Sequence, residues 1–104
     1  MFSFLETKLF TRLVLEYLSD EEYQELQTLF VEQPNAGRVI PSTGGVRKLR
    51  WRASGRGKRG GYRVIYFARI ELGVIWMLTI YPKNVRDDIP VKVLRRIREE
   101  VEHG

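Results

Sequence analysis

Two stretches of this chain, Tyr62 to Arg69 and Val74 to Tyr81, are rich in β-branched and aromatic residues and stand only a few residues apart. Such composition favours strand, and Glu71-Leu72-Gly73 between them reads as the turn of a hairpin. Their nearly continuous apolar character leaves little for water on either face, so the pair belongs at the centre of a sheet. A further strand is predicted just upstream, where Leu49 and Trp51 alternate with Lys48, Arg50 and Arg52. Alternation sends successive side chains to opposite faces, so this strand carries one apolar face and one cationic face.

The pattern before and after these strands is helical. Phe2 to Leu5 reads as a short strand, after which Leu9, Phe10, Leu13, Val14 and Tyr17 recur at the spacing of an amphipathic helix. Ser19, with Glu22 three residues on, is a capping-box signal for a second helix. That helix runs to about Glu32, with Tyr23, Leu26, Leu29 and Phe30 on its buried face, and Pro34 and Gly37 end it. A loop with Pro41 and Gly44-Gly45 leads to the cationic strand. Past Pro82, helical spacing returns through Val91, Leu94, Ile97 and Val101, with Pro90 suited to the first turn. The expected fold class is α+β, two N-terminal helices and a C-terminal helix on a small, mainly antiparallel sheet. The length of 104 residues suits one domain, 1–104.

Charge is segregated along the chain. Between Arg38 and Arg69 there are ten bases and no acid, whereas the remainder holds eight bases and thirteen acids. A field this one-sided attracts a polyanion, with attraction that weakens as salt rises. Ser54 to Gly61, with four glycines and three bases, reads as a flexible basic loop between strands.

Several chemistries are excluded or disfavoured. The chain has no cysteine, so it has no disulfide framework, thiol nucleophile or sulfur-bound zinc, and a reducing compartment, the cytoplasm, is the default. Its start reaches Glu6 too soon for a secretory apolar region. The longest mainly apolar run, Leu72 to Tyr81, is far short of the roughly 20 residues of a spanning helix. The lone histidine, His103, is nearly terminal, so no Ser-His-Asp set can be assembled. The acids Asp20-Glu21-Glu22 and Asp87-Asp88 sit where helix N-termini favour negative charge, so they need no metal. Gly55-Arg56-Gly57-Lys58-Arg59-Gly60 matches the dinucleotide-binding spacing, but a strand follows it rather than a helix. The ribose-binding acid is absent too. No cofactor and no metal are called for.

What remains is chemistry on Lys, Arg and Tyr. Without metal, these suit attack of a ribose 2′-hydroxyl on its neighbouring phosphate, since the substrate supplies the nucleophile and the protein supplies charge stabilisation and proton transfer. Crowding by other cations disfavours the ammonium form of a lysine, and Lys48, which shares one strand face with Arg50 and Arg52, is the candidate base. Trp51, Tyr66, Phe67 and Trp76 lie among apolar neighbours and read as core. Tyr62 and Tyr81, at strand ends near charged loops, are the candidates for base stacking or proton handling.

Three ordered motifs then assemble: Thr43-Gly44-Gly45-Val46-Arg47-Lys48-Leu49-Arg50, Gly57-Lys58-Arg59-Gly60-Gly61-Tyr62-Arg63-Val64-Ile65-Tyr66, and Leu78-Thr79-Ile80-Tyr81-Pro82-Lys83-Asn84. Together they resemble the HigB/RelE toxins of bacterial toxin–antitoxin systems, closest to the HigB-like branch with a long basic loop. The resemblance extends over nearly the whole chain. It implies a RelE-like fold and a metal-independent endoribonuclease that cuts mRNA as the ribosome translates it, leaving a 2′,3′-cyclic phosphate and a 5′-hydroxyl. It also implies a cognate antitoxin, often a helix-turn-helix protein, and no membrane partner.

By the same resemblance, Lys48 matches the family's proposed general base, Arg63 the arginine that stabilises the phosphorane, and Lys83 a basic position after the last strand. With Tyr81 these form the expected catalytic set, and Arg47, Arg50, Arg52, Arg56, Lys58 and Arg59 the expected RNA-binding set. Two positions depart from RelE. Arg50 stands where RelE has a second lysine, and arginine does not practically release a proton. RelE's helix-proximal tyrosine falls near Pro90. The general acid is therefore open among Lys58, Tyr81 and Lys83. A noncatalytic RNA or ribosome binder would keep the same basic face. A gyrase-poisoning toxin of the same fold is the third reading, against which Lys48, Arg63, Tyr81 and Lys83 together argue.

Overall fold

The computed structural model describes residues 2–54, 61–85 and 89–103. Its elements run β1 (Ser3–Glu6), α1 (Lys8–Tyr17), α2 (Asp20–Glu32), β2 (Arg38–Val39), β3 (Arg47–Trp51), β4 (Tyr62–Arg69), a 3₁₀ turn (Ile70–Leu72), β5 (Val74–Pro82) and α3 (Val91–His103). The five strands form one sheet in the order β1-β5-β4-β3-β2. The fold is α+β, as the sequence predicts, and β4 and β5 lie inside the sheet.

β1 falls where a short strand is expected, and two features go beyond the sequence reading. β1 pairs with β5 in parallel, from Ser3 opposite Val74 to Glu6 opposite Met77, so the sheet is mixed. β2 is a two-residue strand, Arg38 opposite Lys48 and Val39 opposite Arg47, and so is too short to leave a periodic signal. The expected hairpin turn is the 3₁₀ turn, closed by Gly73 in the left-handed region at φ 66°.

Helix starts follow side-chain chemistry. Thr7 caps α1 by accepting from Phe10 N–H at 3.0 Å, and its hydroxyl donates to the Leu78 carbonyl at 2.8 Å, fastening the helix start to β5. Ser19 and Glu22 form the capping box of α2: Ser19 Oγ accepts from Glu22 N–H at 3.1 Å, and Ser19 N–H donates to Glu22 Oε1 at 2.9 Å. Each such cap contributes about 1 kcal/mol.

The sheet is covered on both faces. Phe10, Val14, Leu26 and Phe30 of α1 and α2 pack on Leu49, Trp51, Tyr62, Val64, Tyr66, Ile75, Met77 and Ile80. Leu94 of α3, with Ile97 and Val101, packs on Val46, Ile65, Phe67, Leu78 and Tyr81 on the other face. Trp51, Tyr66 and Phe67 are buried and Trp76 half-buried, in line with their reading as core.

α3 is also tied down by polar contacts. Arg95 Nε donates to the Ser42 carbonyl and Arg98 Nε to the Gly44 carbonyl, each at 3.0 Å. Glu102 pairs with Arg98 at 3.1 Å and with Arg69. Among the described residues no helix is long and apolar enough to cross a membrane.

Candidate functional site

α3 covers only part of its face of the sheet, and the cations lie on the rest. Residues opposed across an antiparallel pair point to the same face, so the register assigns each side chain. Arg50 opposes Arg63, and Arg63 opposes Tyr81, making one rung on the α3 face. Lys48 opposes Ile65 on the next rung, and Arg38 of β2 opposes Lys48.

Tyr81 reaches this face only through an irregularity. Ile65 opposes Thr79 but Tyr66 opposes Met77, so β5 carries one extra residue there. A bulge resets the alternation of every residue after it. Met77 and Ile80 consequently share the α1–α2 face, and Tyr81 falls on the α3 face beside Arg63. Regular alternation from Met77 would have placed Tyr81 on the other side.

Two shallow hollows adjoin on this surface. One, of about 220 Å³, is lined by Arg50, Trp51, Arg52, Arg63 and Lys83. The second, of about 550 Å³, is lined by Ala36, Arg38, Lys48, Leu49 and Arg50. Lys48 also borders a narrow cleft of about 50 Å³ with Tyr81, Ile89 and Leu94, under the start of α3. No carboxylate is among the described residues that line either hollow, while like charges face one another across Arg50 and Arg63. Such a rung repels itself when empty and is relieved by an anion.

The backbone around the site is fixed at several points. Gly61, at φ +67°, leads into β4, and a Cβ there would overlap the Trp51 carbonyl. Its own carbonyl accepts from Lys83 N–H at 3.2 Å, which joins the start of β4 to the end of β5 beside the first hollow. Glu25 of α2 accepts from Ser54 N–H at 2.7 Å and from the Ser54 hydroxyl, anchoring the chain just past β3. Those two bonds hold the Glu25 carboxyl below the usual glutamate range.

Lys48, Arg50, Arg52, Arg63, Tyr81 and Lys83 are thus brought together. Tyr81 is only 5% exposed, its ring part of the core under α3, whereas Lys83 is exposed. Arg56, Lys58 and Arg59 lie outside the described residues. Arg47 is turned to the opposite face, where it donates to the Gly37 carbonyl at 2.7 Å. The stacking role expected for Tyr62 is corrected: it is buried on the α1–α2 face, where its hydroxyl donates to the Tyr17 carbonyl at 3.2 Å. Arg38 is the residue that the sequence reading missed. It was visible within the basic stretch, but nothing short of the β2–β3 pairing sets it opposite Lys48.

No family model matches the sequence. The architecture itself is RelE-like. The chain is similar to a solved structure of the Escherichia coli toxin RelE, a double arginine-to-alanine mutant in the free state, with a TM-score of 0.60 over 93% of this chain and 96% of that chain. Identity across the match is 17%.

Proposed function

We propose that this chain is the toxin of a toxin–antitoxin pair, of the HigB-like branch, and acts as a metal-independent endoribonuclease on mRNA being translated in the cytoplasm. The observation that carries this reading is the Arg50–Arg63–Tyr81 rung, with Lys48 and Lys83 beside it, on the uncovered part of the sheet in a RelE-like fold. A cognate helix-turn-helix antitoxin would restrain it.

In this reading Lys48 takes the proton of a ribose 2′-hydroxyl as the 2′-oxygen bonds to phosphorus. Arg63 and Arg50 hold the negative charge that grows on the phosphoryl oxygens, as fixed cations do for such intermediates. The bond to the 5′-oxygen breaks, and a proton delivered to that oxygen yields a 5′-hydroxyl and a 2′,3′-cyclic phosphate. Lys83 is favoured as the donor, because it is exposed and lines the same hollow as Arg63, whereas the Tyr81 ring is held in the core.

The test is induction in bacteria with mapping of new mRNA 5′ ends, for the native protein and for Arg63→Ala and Lys48→Ala. New ends that vanish in both variants support the reading. Growth arrest with intact transcripts refutes it, and supercoiling defects would point to gyrase instead.

A further inference from the structure

Two cationic hollows adjoin where a single bond cleavage needs only one. The first holds Arg63 and Lys83, the second Arg38 and Lys48, and Arg50 lines both. We propose that the second hollow is a subsite for the phosphate next to the scissile one, with Arg38 as its distinguishing ligand, so that the unit recognised is a stretch of at least two consecutive phosphates. This deepens the nuclease reading and rests on it.

Spacing supports the pairing of sites. Alternate residues of a strand lie about 7 Å apart, so Lys48 and Arg50 form a ladder with a step close to that between successive phosphates of an extended single strand. Arg38 broadens the ladder sideways, being opposite Lys48 across the β2–β3 pair. Its charge is permanent, so it cannot share the proton-transfer task proposed for Lys48 and can only hold an anion.

The backbone before Arg38 is locked in a way that an idle surface loop does not require. Gly37 N–H donates to the Tyr66 hydroxyl at 2.8 Å, and that hydroxyl donates to the Pro34 carbonyl at 3.0 Å. Arg47 donates to the Gly37 carbonyl from the other side. Gly37 packs so tightly on β3 that a Cβ would come within 2.9 Å of the Lys48 carbonyl oxygen. Arg38 therefore leaves a fixed point with its side chain exposed.

The experiment uses 2′-O-methyl oligonucleotides, which lack the nucleophile. A dinucleoside monophosphate and a trinucleoside diphosphate are titrated at several salt concentrations by NMR. The native protein is expected to bind the diphosphate about tenfold more tightly, with a salt slope steeper by about 0.7, the increment for one more phosphate on a single strand. Arg38→Ala should erase most of that gain and leave the monophosphate affinity unchanged, and Arg38→Lys should restore part of it. Equal weakening of both ligands by Arg38→Ala, or no gain in the native protein, overturns the subsite. Absence of cleavage in cells or on ribosomes would sink the nuclease reading alone, because phosphate counting is read here without chemistry.

Discussion

Arg63 sits between an arginine and a tyrosine on one rung, and the fork of its guanidinium sets what can replace it. Lysine keeps the charge but not the paired N–H donors that match a phosphoryl group. On the proposed nuclease reading, Arg63→Ala is expected to lower the cleavage rate about 100- to 1000-fold, the usual loss when a charge-stabilising donor is removed. Arg63→Lys should recover only a small part in single-turnover assays, and full recovery would show that charge without geometry suffices. Gly61→Ala tests the backbone instead. With φ at +67° and the Trp51 carbonyl in the way, it should cost about 1–3 kcal/mol in denaturant unfolding. At this scale the sequence was readable where alternation was regular, which is why Lys48, Arg50 and Arg52 were placed on one face. It was unreadable where pairing decides. The bulge that turns Tyr81 towards Arg63 leaves no local signal, a strand-end position could not say which way Tyr62 points, and Arg38 needed its partner strand.

Elements were legible in proportion to their length and their caps. α1, α2 and α3 repeat their apolar positions over several turns, and Ser19 with Glu22 marks a start directly. β2 has two residues and no period, and the parallel pairing of β1 depends on residues some seventy positions away. Thr7 is the element-scale residue with most to lose, since it both caps α1 and binds Leu78. Thr7→Ala should lower stability by about 1–2 kcal/mol, while Thr7→Ser keeps most of it. An equal loss in both variants would mean that packing of the methyl group, not the cap, is what matters. The Glu25–Ser54 anchor makes a pH-dependent case. The folded protein holds this carboxyl below its ordinary value of 4.5, so the anchor's contribution is complete above that value. It is lost as pH falls through the lower, folded value. Amide exchange at Ser54 should therefore accelerate in that acid window, and Glu25→Gln should flatten the dependence. An unchanged profile in Glu25→Gln would assign the effect to another group.

Among the described residues, the acids of α2 and the cations of the site belong to opposite faces of the sheet. α2 carries five acids and no base, and its apolar residues pack on the face of the sheet opposite to Lys48, Arg50 and Arg63. A field with one attractive and one repulsive side orients a polyanion before contact and raises the rate of productive encounter, an effect that salt removes. If three or four phosphates are engaged, the logarithm of the association constant for single-stranded RNA should fall against the logarithm of salt with a slope of about −2 to −3. The acidic side is tested by Glu21→Lys with Glu32→Lys, both exposed on α2. Removing the repulsion should tighten total binding at low salt while adding a mode that does not involve Arg63. Arg63→Ala would then weaken RNA binding severalfold in the native background and much less in the charge-reversed one. If Arg63→Ala costs the same in both backgrounds, the acids of α2 do not steer RNA, and orientation must come from contacts made after docking.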